Sequence, residues 1–485
     1  ILNLVKKHYE GRAEGAVFNR EEHHRLAKKM SAECAVLLKN DNILPLKETT
    51  KAAFIGEFAV VPRFQGGGSS HINSFMVTSA MEAAKGYHVS FAKGYETMKD
   101  EPDENLIREA VELAKESEVA VVFAGLPDHY ESEGYDRTHL NLPACQNVLI
   151  DEIVKVQPNT LVVLHNGSPV VLLWADKVKG ILEVYLGGQA VGEATVDLLY
   201  GKVNPSGKLA ETFPLRLQDN PSYLNFPGTS RTVEYKEGVY IGYRYYDAKD
   251  MDVLYPFGFG LSYTTFDYGD LKLRVIDSDH IPSTDGKLHM KDTQRLEVKV
   301  TVKNTGNVNG KEIVQLYVRD IEASVGRPIK ELKGFAKVAL APGEEKEVVF
   351  TLDKRSFAYY SMELNDWYAE NGTYEILIGK SSRDIILKGS VEIESSDRIP
   401  FVVDDRTTYG DVINQLADPG EFYRAVMESS GYDPEHDDTI GEFKMFIEMI
   451  KGTPLHAGRS IATMGMHMDK FDDLLKSMLD NSKRS

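Results

Sequence analysis

EVAVVFAGLPDHYESEGYDRTHLNLP, residues 118–143, sets an apolar run from Val119 to Ala124 against a loop crowded with carboxylates and aromatic rings. A run that is apolar at every position, not at alternate ones, belongs to a strand covered on both faces. The loop behind it holds Asp128, Glu131, Glu133 and Asp136 together with Tyr130, Tyr135 and a single Arg137. In open α/β sheets ligands sit beyond the carboxyl ends of the strands, and crowded carboxylates drive each other's pKa values apart. The loop is therefore the first candidate for acid/base chemistry, and a plain solvated acidic loop is the competing reading.

Working outward, short apolar runs recur at AAFIGEF (52–58), HVSFAKG (88–94), TLVVLHNG (160–167) and ILEVYLGG (181–188). Helical patterns lie between them at NLIREAVELAKES (105–117), NVLIDEIVKVQ (147–157) and AVGEATVDLLYG (190–201). This order predicts an αβα sandwich with a mostly parallel sheet over residues 20–269. A helix from Asn19 to Asn40, capped by Asn19 and buried through Leu26, Met30, Cys34 and Leu37/Leu38, is expected to precede the first strand. Residues 1–19 read as a linker whose first part, Ile1 to Tyr9, is an amphipathic helix with Ile1, Leu4 and Val5 on one face.

From residue 295 the period changes. Leu296, Val298, Val300 and Val302 alternate with Glu297, Lys299 and Thr301, and EIVQLYV, EVVFTL and YEILIG follow between turns at NTGN, APGEE and AENGT. Short alternating strands with turn signals at about 10-residue spacing read as an all-β sandwich of immunoglobulin or fibronectin type III kind over 295–395. Residues 270–294 read as a polar connection, and 396–485 as a helical C-terminal tail. Its stripes are Phe443, Phe446, Ile447 and Ile450, then Phe471, Leu474, Leu475 and Met478. Met445, Met449, Met464, Met466 and Met468 make the tail an adaptable core or docking surface, with a subunit interface as the sharper alternative.

The formal charge of -18 over 485 residues disfavours nucleic acid, whose phosphates would be repelled, and favours a neutral or cationic small ligand. No stretch reaches the roughly 18 to 20 apolar residues that span a bilayer, so no membrane partner is expected. Cys34 and Cys145 form no CxxC pair, which suggests buried free thiols, not a disulfide or zinc framework. Few cysteines and no secretory signal lean towards the cytoplasm.

Residue by residue, ESEGYDRTHLNLP (131–143) resembles the acid/base loop of the family 3 glycoside hydrolases, with Glu133 similar to the acid/base. Other blocks agree in order: RFQGGGSSHIN (63–73) with the glycine-serine loop, LHNGSPV (164–170) with a central strand end, and NPSGKL (204–209) with the turn after the last helix. YKEGVYIGYRYYD (235–247) and YPFGFGLSYTTF (255–266) resemble the approach to the third domain, and ELKGF (331–335) lies inside it. The resemblance covers residues 1 to about 395, and the tail is similar to extensions of some members.

The resemblance implies a retaining, exo-acting β-glycosidase, foremost a β-glucosidase releasing terminal non-reducing β-D-glucosyl residues without a cofactor or metal. It also implies a nucleophilic Asp in an SDW-like motif on a preceding (β/α)8 barrel that these residues lack; the only DW, Asp366–Trp367, falls among the sandwich strands. Ile1 to Gly11 resembles the closing helix of that barrel. Expected partners are a β-linked gluco-oligosaccharide or aryl β-glucoside, the barrel and, as a candidate, a second copy of the chain. The rival from another class is a non-catalytic carbohydrate-binding or interaction module.

Substrate contacts are expected from Arg63, Gln65, Gly67, Ser69, Ser70 and His71, with a mere flexible turn at Gly66–Gly68 as the alternative. Tyr135, Asp136 and Arg137 join them, although Asp136 and Arg137 also invite a simple ion pair with each other. His165 and Asn166 read as orienting groups. Tyr240, Tyr243, Tyr245 and Tyr246 read as interdomain packing, and Trp367 as sandwich core.

Overall fold

The computed structural model describes residues 1–229, 231–276, 287–399, 401, 406–414, 445, 448, 451–454 and 457. The chain divides into two compact units, one of residues 1–360 and 367–396, the other of residues 361–366 and 397–485.

In the first unit, helix α1 (Leu2–Glu10) and helix α2 (Arg20–Cys34) precede strand β1 (Val36–Asn40). There follow β2 (Ala52–Ile55), α3 (Ala80–Ala83), β3 (Val89–Ala92), α4 (Glu104–Lys115), β4 (Val119–Gly125), α5 (Ala144–Val156), β5 (Thr160–His165), β6 (Gly180–Glu183) and α6 (Val191–Leu199). The six strands order as β1-β6-β5-β4-β2-β3. All neighbours are parallel except β1, which runs antiparallel to β6. Every residue of β4, β5 and β6 is buried, which is why their runs show no alternation. After β2 the chain crosses outward to β3 and then returns to lay β4 on the other side of β2, so the topological switch point lies between β2 and β4. The loops leaving those two strands are the glycine-serine loop and the carboxylate loop.

Helix α2 departs from expectation. Asn19 caps it through the N–H groups of Glu21 and Glu22, both at 3.1 Å, but it stops at Cys34, because Ala35 turns extended and Val36–Asn40 is drawn onto the β6 edge. Leu37 and Leu38 are therefore strand core. Leu26 and Met30 are 53% and 59% exposed, and the helix buries His24, Ser31 and Ala32 instead. That face packs on α6, where His24 lies 3.4 Å from Glu193 and Lys28 meets Asp197 at 2.6 Å. Cys34 is exposed; only Cys145 is buried, and burial pushes its thiol up to about 12.

A two-stranded ribbon of β7 (Phe213–Pro214) and β8 (Val253–Tyr255), with helix α7 (Tyr243–Ala248) between them, leads to the sandwich. Its strands are β9 (Phe266–Ile276), β10 (His289–Lys291), β11 (Arg295–Asn304), β12 (Gly310–Asp320), β13 (Glu331–Leu340) and β14 (Glu345–Leu352). After helix α8 (Lys354–Phe357) and a ribbon of β15 (Tyr359–Ser361) and β16 (Asp366–Tyr368) come β17 (Gly372–Gly379) and β18 (Ile385–Glu394). Sheets β14-β11-β9 and β10-β18-β17-β12-β13 face each other over Leu296, Val298, Val300 and Val302, all fully buried. The expected connection 270–294 is partly sheet: β9 pairs with β11 from Phe266 onward and β10 pairs with β18. The sandwich thus begins near residue 266.

The tyrosine-rich segment does pack between the two layers. Tyr243 stacks on Phe257 at 4.6 Å and its hydroxyl accepts the Leu332 N–H, while Tyr240 donates to the Arg327 carbonyl. Trp367 is not sandwich core: it is 37% exposed and carries the Arg355 guanidinium on its face.

In the second unit, α9 (Tyr409–Ile413) opens with a capping box formed by Thr408 and Asp411. The stripes proposed at Phe443–Ile450 and Phe471–Met478 lie outside the described residues, as do Met449, Met464, Met466 and Met468; Met445 is exposed. No helix among the described residues is long and apolar enough to cross a membrane.

Candidate active site

Three loops meet at the carboxyl ends of β2, β4 and β5. Arg63 holds them together. Its Nε donates to Asp128 at 3.1 Å, Nη1 to the Leu126 carbonyl and to Glu131 Oε2 at 2.6 and 2.7 Å, and Nη2 to the Glu131 carbonyl at 2.8 Å. The side chain is buried, and its own carbonyl faces His165 Nδ1 at 3.2 Å. So Arg63, expected among sugar-facing groups, is spent on the carboxylate loop.

Glu131 is the other half of this clasp. Besides Arg63 it accepts the Gly167 N–H at 2.8 Å and the Ser168 hydroxyl. Burial alone would raise its carboxyl, but Ser168, Gly167 and Arg63 outweigh burial and hold it below the ordinary carboxylate range. Glu133, two residues on, has the opposite setting. It is exposed, and Oε2 accepts the Ser69 N–H at 2.6 Å. The Ser69 hydroxyl and N–H together keep it below its usual range.

The glycine loop presses directly on this carboxylate. A Cβ at Gly67 would lie 2.4 Å from Ser132 Oγ, and one at Gly68, whose φ is +79°, 2.5 Å from the Glu133 Cβ. Side chains at those positions would displace the acid/base candidate, so the GGG run sets a close backbone approach and is not an idle turn.

The remaining candidates divide. Ser69 meets Glu133 through its backbone, and Ser70 Oγ donates to the Gly67 carbonyl at 3.1 Å. Gln65 pairs with Ile72 in both directions and lies 3.2 Å from His71 Nδ1, so these residues brace their own loop while His71 stays exposed. Tyr135 donates to the Asp128 carbonyl at 2.6 Å. The neighbour pair Asp136–Arg137 does not form: Asp136 points to solvent, and the half-buried Arg137 turns to Ser168 Oγ and the Pro169 carbonyl at 2.8 and 3.1 Å.

Sequence reasoning missed the layer underneath. Glu183, fully buried at the end of β6, accepts Asn166 Nδ2 at 2.9 Å and the Tyr185 N–H at 2.8 Å, and burial drives its carboxyl far up. Burial, then the Glu131 charge, pushes Glu211 up to about 7 against the pull of Arg137. His165, as an orienting group, is buried, and burial lowers its ring to about 4. The missed signal was a lone acid inside an apolar run, ILEVYLGG. Among the described residues no cluster of His, Cys, Asp or Glu is placed to hold a metal ion.

Residues 35–263 match the glycosyl hydrolase family 3 C-terminal domain, and residues 312–382 a fibronectin type III-like domain. The chain belongs to glycoside hydrolase family 3. This family 3 chain is 53% identical over 405 residues to thermostable β-glucosidase B of Acetivibrio thermocellus, covering 82% of the chain and 52% of that protein. It is 42% identical over 407 residues to an exo-α-(1→6)-L-arabinopyranosidase of Bifidobacterium breve, covering 81% and 52%. The crystal structure of a family 3 β-glucosidase from Bifidobacterium adolescentis superposes with a TM-score of 0.78 at 42% identity, over 85% of this chain and 59% of that one. The family 3 chain spans about half the length of the curated relatives it matches.

Proposed function

We propose that this chain supplies the acid/base layer of a retaining, exo-acting β-glucosidase, with Glu133 as the acid/base and the nucleophile on a barrel outside residues 1–485. The observation that carries it is the contrast on one loop: both oxygens of Glu131 are engaged, by Arg63, Gly167 and Ser168, whereas Glu133 faces outward at the switch point beside the glycine loop. The relatives named as β-glucosidases support the substrate class, a β-linked gluco-oligosaccharide or aryl β-glucoside. In double displacement the acid protonates the departing oxygen, then takes a proton from water, with the two carboxyl groups about 5 Å apart. Open to water, Glu133 is a ready base. A bound sugar and a second carboxylate at that distance would raise its pKa and make it an acid.

The test is leaving-group dependence in the enzyme that carries this chain and its barrel. A sugar alkoxide must be protonated as it departs, whereas a nitrophenolate leaves unaided. Glu133→Ala should slow cellobiose by on the order of 10² to 10⁴. Aryl glucosides should still form the glycosyl-enzyme, and added azide should rescue turnover as a β-glycosyl azide. Cellobiose activity retained within about threefold, the scale of a peripheral contact and not of a general acid, would remove Glu133 from the role.

A further inference from the structure

A cavity of about 510 Å³ opens between the carboxylate-loop exit at Leu140, the turn at Pro169 and the segment that leads from β7 to α7. Glu133 is not part of its lining. The walls are largely apolar, including Leu140, Pro169, Phe226 and Tyr246. Two adjacent residues give it a polar floor. The Thr212 hydroxyl is 95% buried by the residue's 5% exposure and has no hydrogen-bond partner. The partly exposed Glu211 carboxyl makes no hydrogen bond to Glu131 or Arg137 and meets them only as charges. Buried polar groups in native proteins find partners, so the unmet Thr212 hydroxyl, next to a partly exposed carboxyl, marks a place for a ligand or water.

The chemistry of the lining selects the occupant. Glu234 and Glu237 join Glu211 around the cavity, so a phosphate or carboxylate ligand is repelled. An apolar molecule would leave Glu211 and Thr212 unmet. Among the described residues no acidic cluster is placed to hold a metal ion, and a lone cation would leave the apolar walls uncovered. A pyranose satisfies all three: vicinal hydroxyls donate to a carboxylate, a further hydroxyl pairs with threonine, and the C–H face of the ring covers apolar surface. We propose that this cavity is a second carbohydrate site, holding a neutral pyranose with Glu211 and Thr212 as its hydrogen-bonding floor, beside the acid/base loop and separate from Glu133. The ring is either a free monosaccharide or a distal unit of a longer oligosaccharide. The inference does not depend on the role given to Glu133.

Isothermal titration of the 485-residue chain with glucose and with cellotriose tests it. Saturable binding is expected, weakened about ten- to a hundredfold by Glu211→Met and by Thr212→Val, and unchanged by Glu133→Ala. Thermal melting checks that each variant folds. Should a floor variant fail to fold, Ile241→Trp at the half-exposed rim, which narrows the mouth and leaves the floor intact, must give the same loss. Saturation by glucose identifies a monosaccharide site, and saturation by cellotriose alone a distal oligosaccharide subsite; both support the proposal. Absence of binding by either sugar overturns it. So does binding that survives the floor variants but is lost in Glu133→Ala, a result that would leave the acid/base reading standing.

Discussion

Two glutamates on one loop show how little a residue's type says about its task. Glu131 is enclosed by Arg63, Gly167 and Ser168, and Glu133 reaches one serine and then water. The first locks the loop, and the second, the proposed acid/base, is left open to solvent. His165 sits beneath them and is a proton-sensitive part of the same clasp, because its Nδ1 lies on the Arg63 carbonyl. Burial lowers its pKa from the ordinary 6.5 to about 4. Between those values the unfolded chain binds a proton that the folded chain refuses. The contribution of His165 is therefore full above about pH 6.5 and is lost as pH falls towards 4. It is worth on the order of 3 kcal/mol. His165→Gln, which keeps a donor for the carbonyl, should flatten that part of the acid slope. Urea unfolding at about pH 7 and about pH 4.5 measures it. Equal losses in the parent and the variant would mean that the histidine is already charged in the fold.

At the scale of elements, the site depends on a loop whose backbone replaces side chains. Gly68→Ala puts a Cβ against Glu133 at a φ of +79°, so it carries both left-handed strain and a clash with the carboxylate. Gly86 offers a control, since its φ is +103° and a Cβ there meets nothing. Gly86→Ala should lower stability by about 1–2 kcal/mol, the cost of a left-handed non-glycine residue, and Gly68→Ala by at least as much. In the enzyme that joins this chain to its barrel, and on the role proposed for Glu133, only Gly68→Ala should also cut kcat on cellobiose, by tenfold or more, on the order of a displaced catalytic group. Equal activity of the two variants would show that the glycine loop does not position Glu133.

What was legible at this scale follows from burial. Strands β2, β4, β5 and β6 were readable because both faces are covered and no polar residue interrupts the run until the strand end. Strand β1 was hidden because Cys34, Leu37 and Leu38 continue the helical spacing of α2, and only pairing with β6 decides otherwise. Strand β9 was hidden because it lies at a sheet edge and DLKLRV mixes charge with partial exposure. In the site, the carboxylate loop was placed by the strand before it. Which of its acids is enclosed, and that Arg63 turns inward, depends on contacts across 63 to 68 residues of chain.

Across the whole first unit, the parallel-sheet layer and the sandwich meet at several places, among them Lys208–Glu312, Glu33 with Lys337, and α7. Asp247 on that helix meets Lys330, from the loop before β13, at 2.8 Å, and Arg383, between β17 and β18, at 2.9 Å. Arg383 also donates to the carbonyls of Tyr246 and Met251. The carboxylate is nearly enclosed, so its removal leaves Lys330 facing a dry junction without a counter-charge. Breaking a buried pair by removing one partner costs about 3–5 kcal/mol, far more than the pair itself contributes over an apolar substitute. Asp247→Ala should therefore loosen the junction while leaving each layer's own core untouched. Calorimetry should show one cooperative transition in the parent chain and, in the variant, a sandwich transition that moves down and separates from the first. Lys6→Ala breaks a pair whose partners, Lys6 and Glu10, are both mostly exposed. It should change stability by no more than about 0.5 kcal/mol. A single unshifted transition in Asp247→Ala would mean that the other contacts across the junction, among them Lys208–Glu312 and the stacked aromatics around Tyr243, couple the layers without this charge cluster.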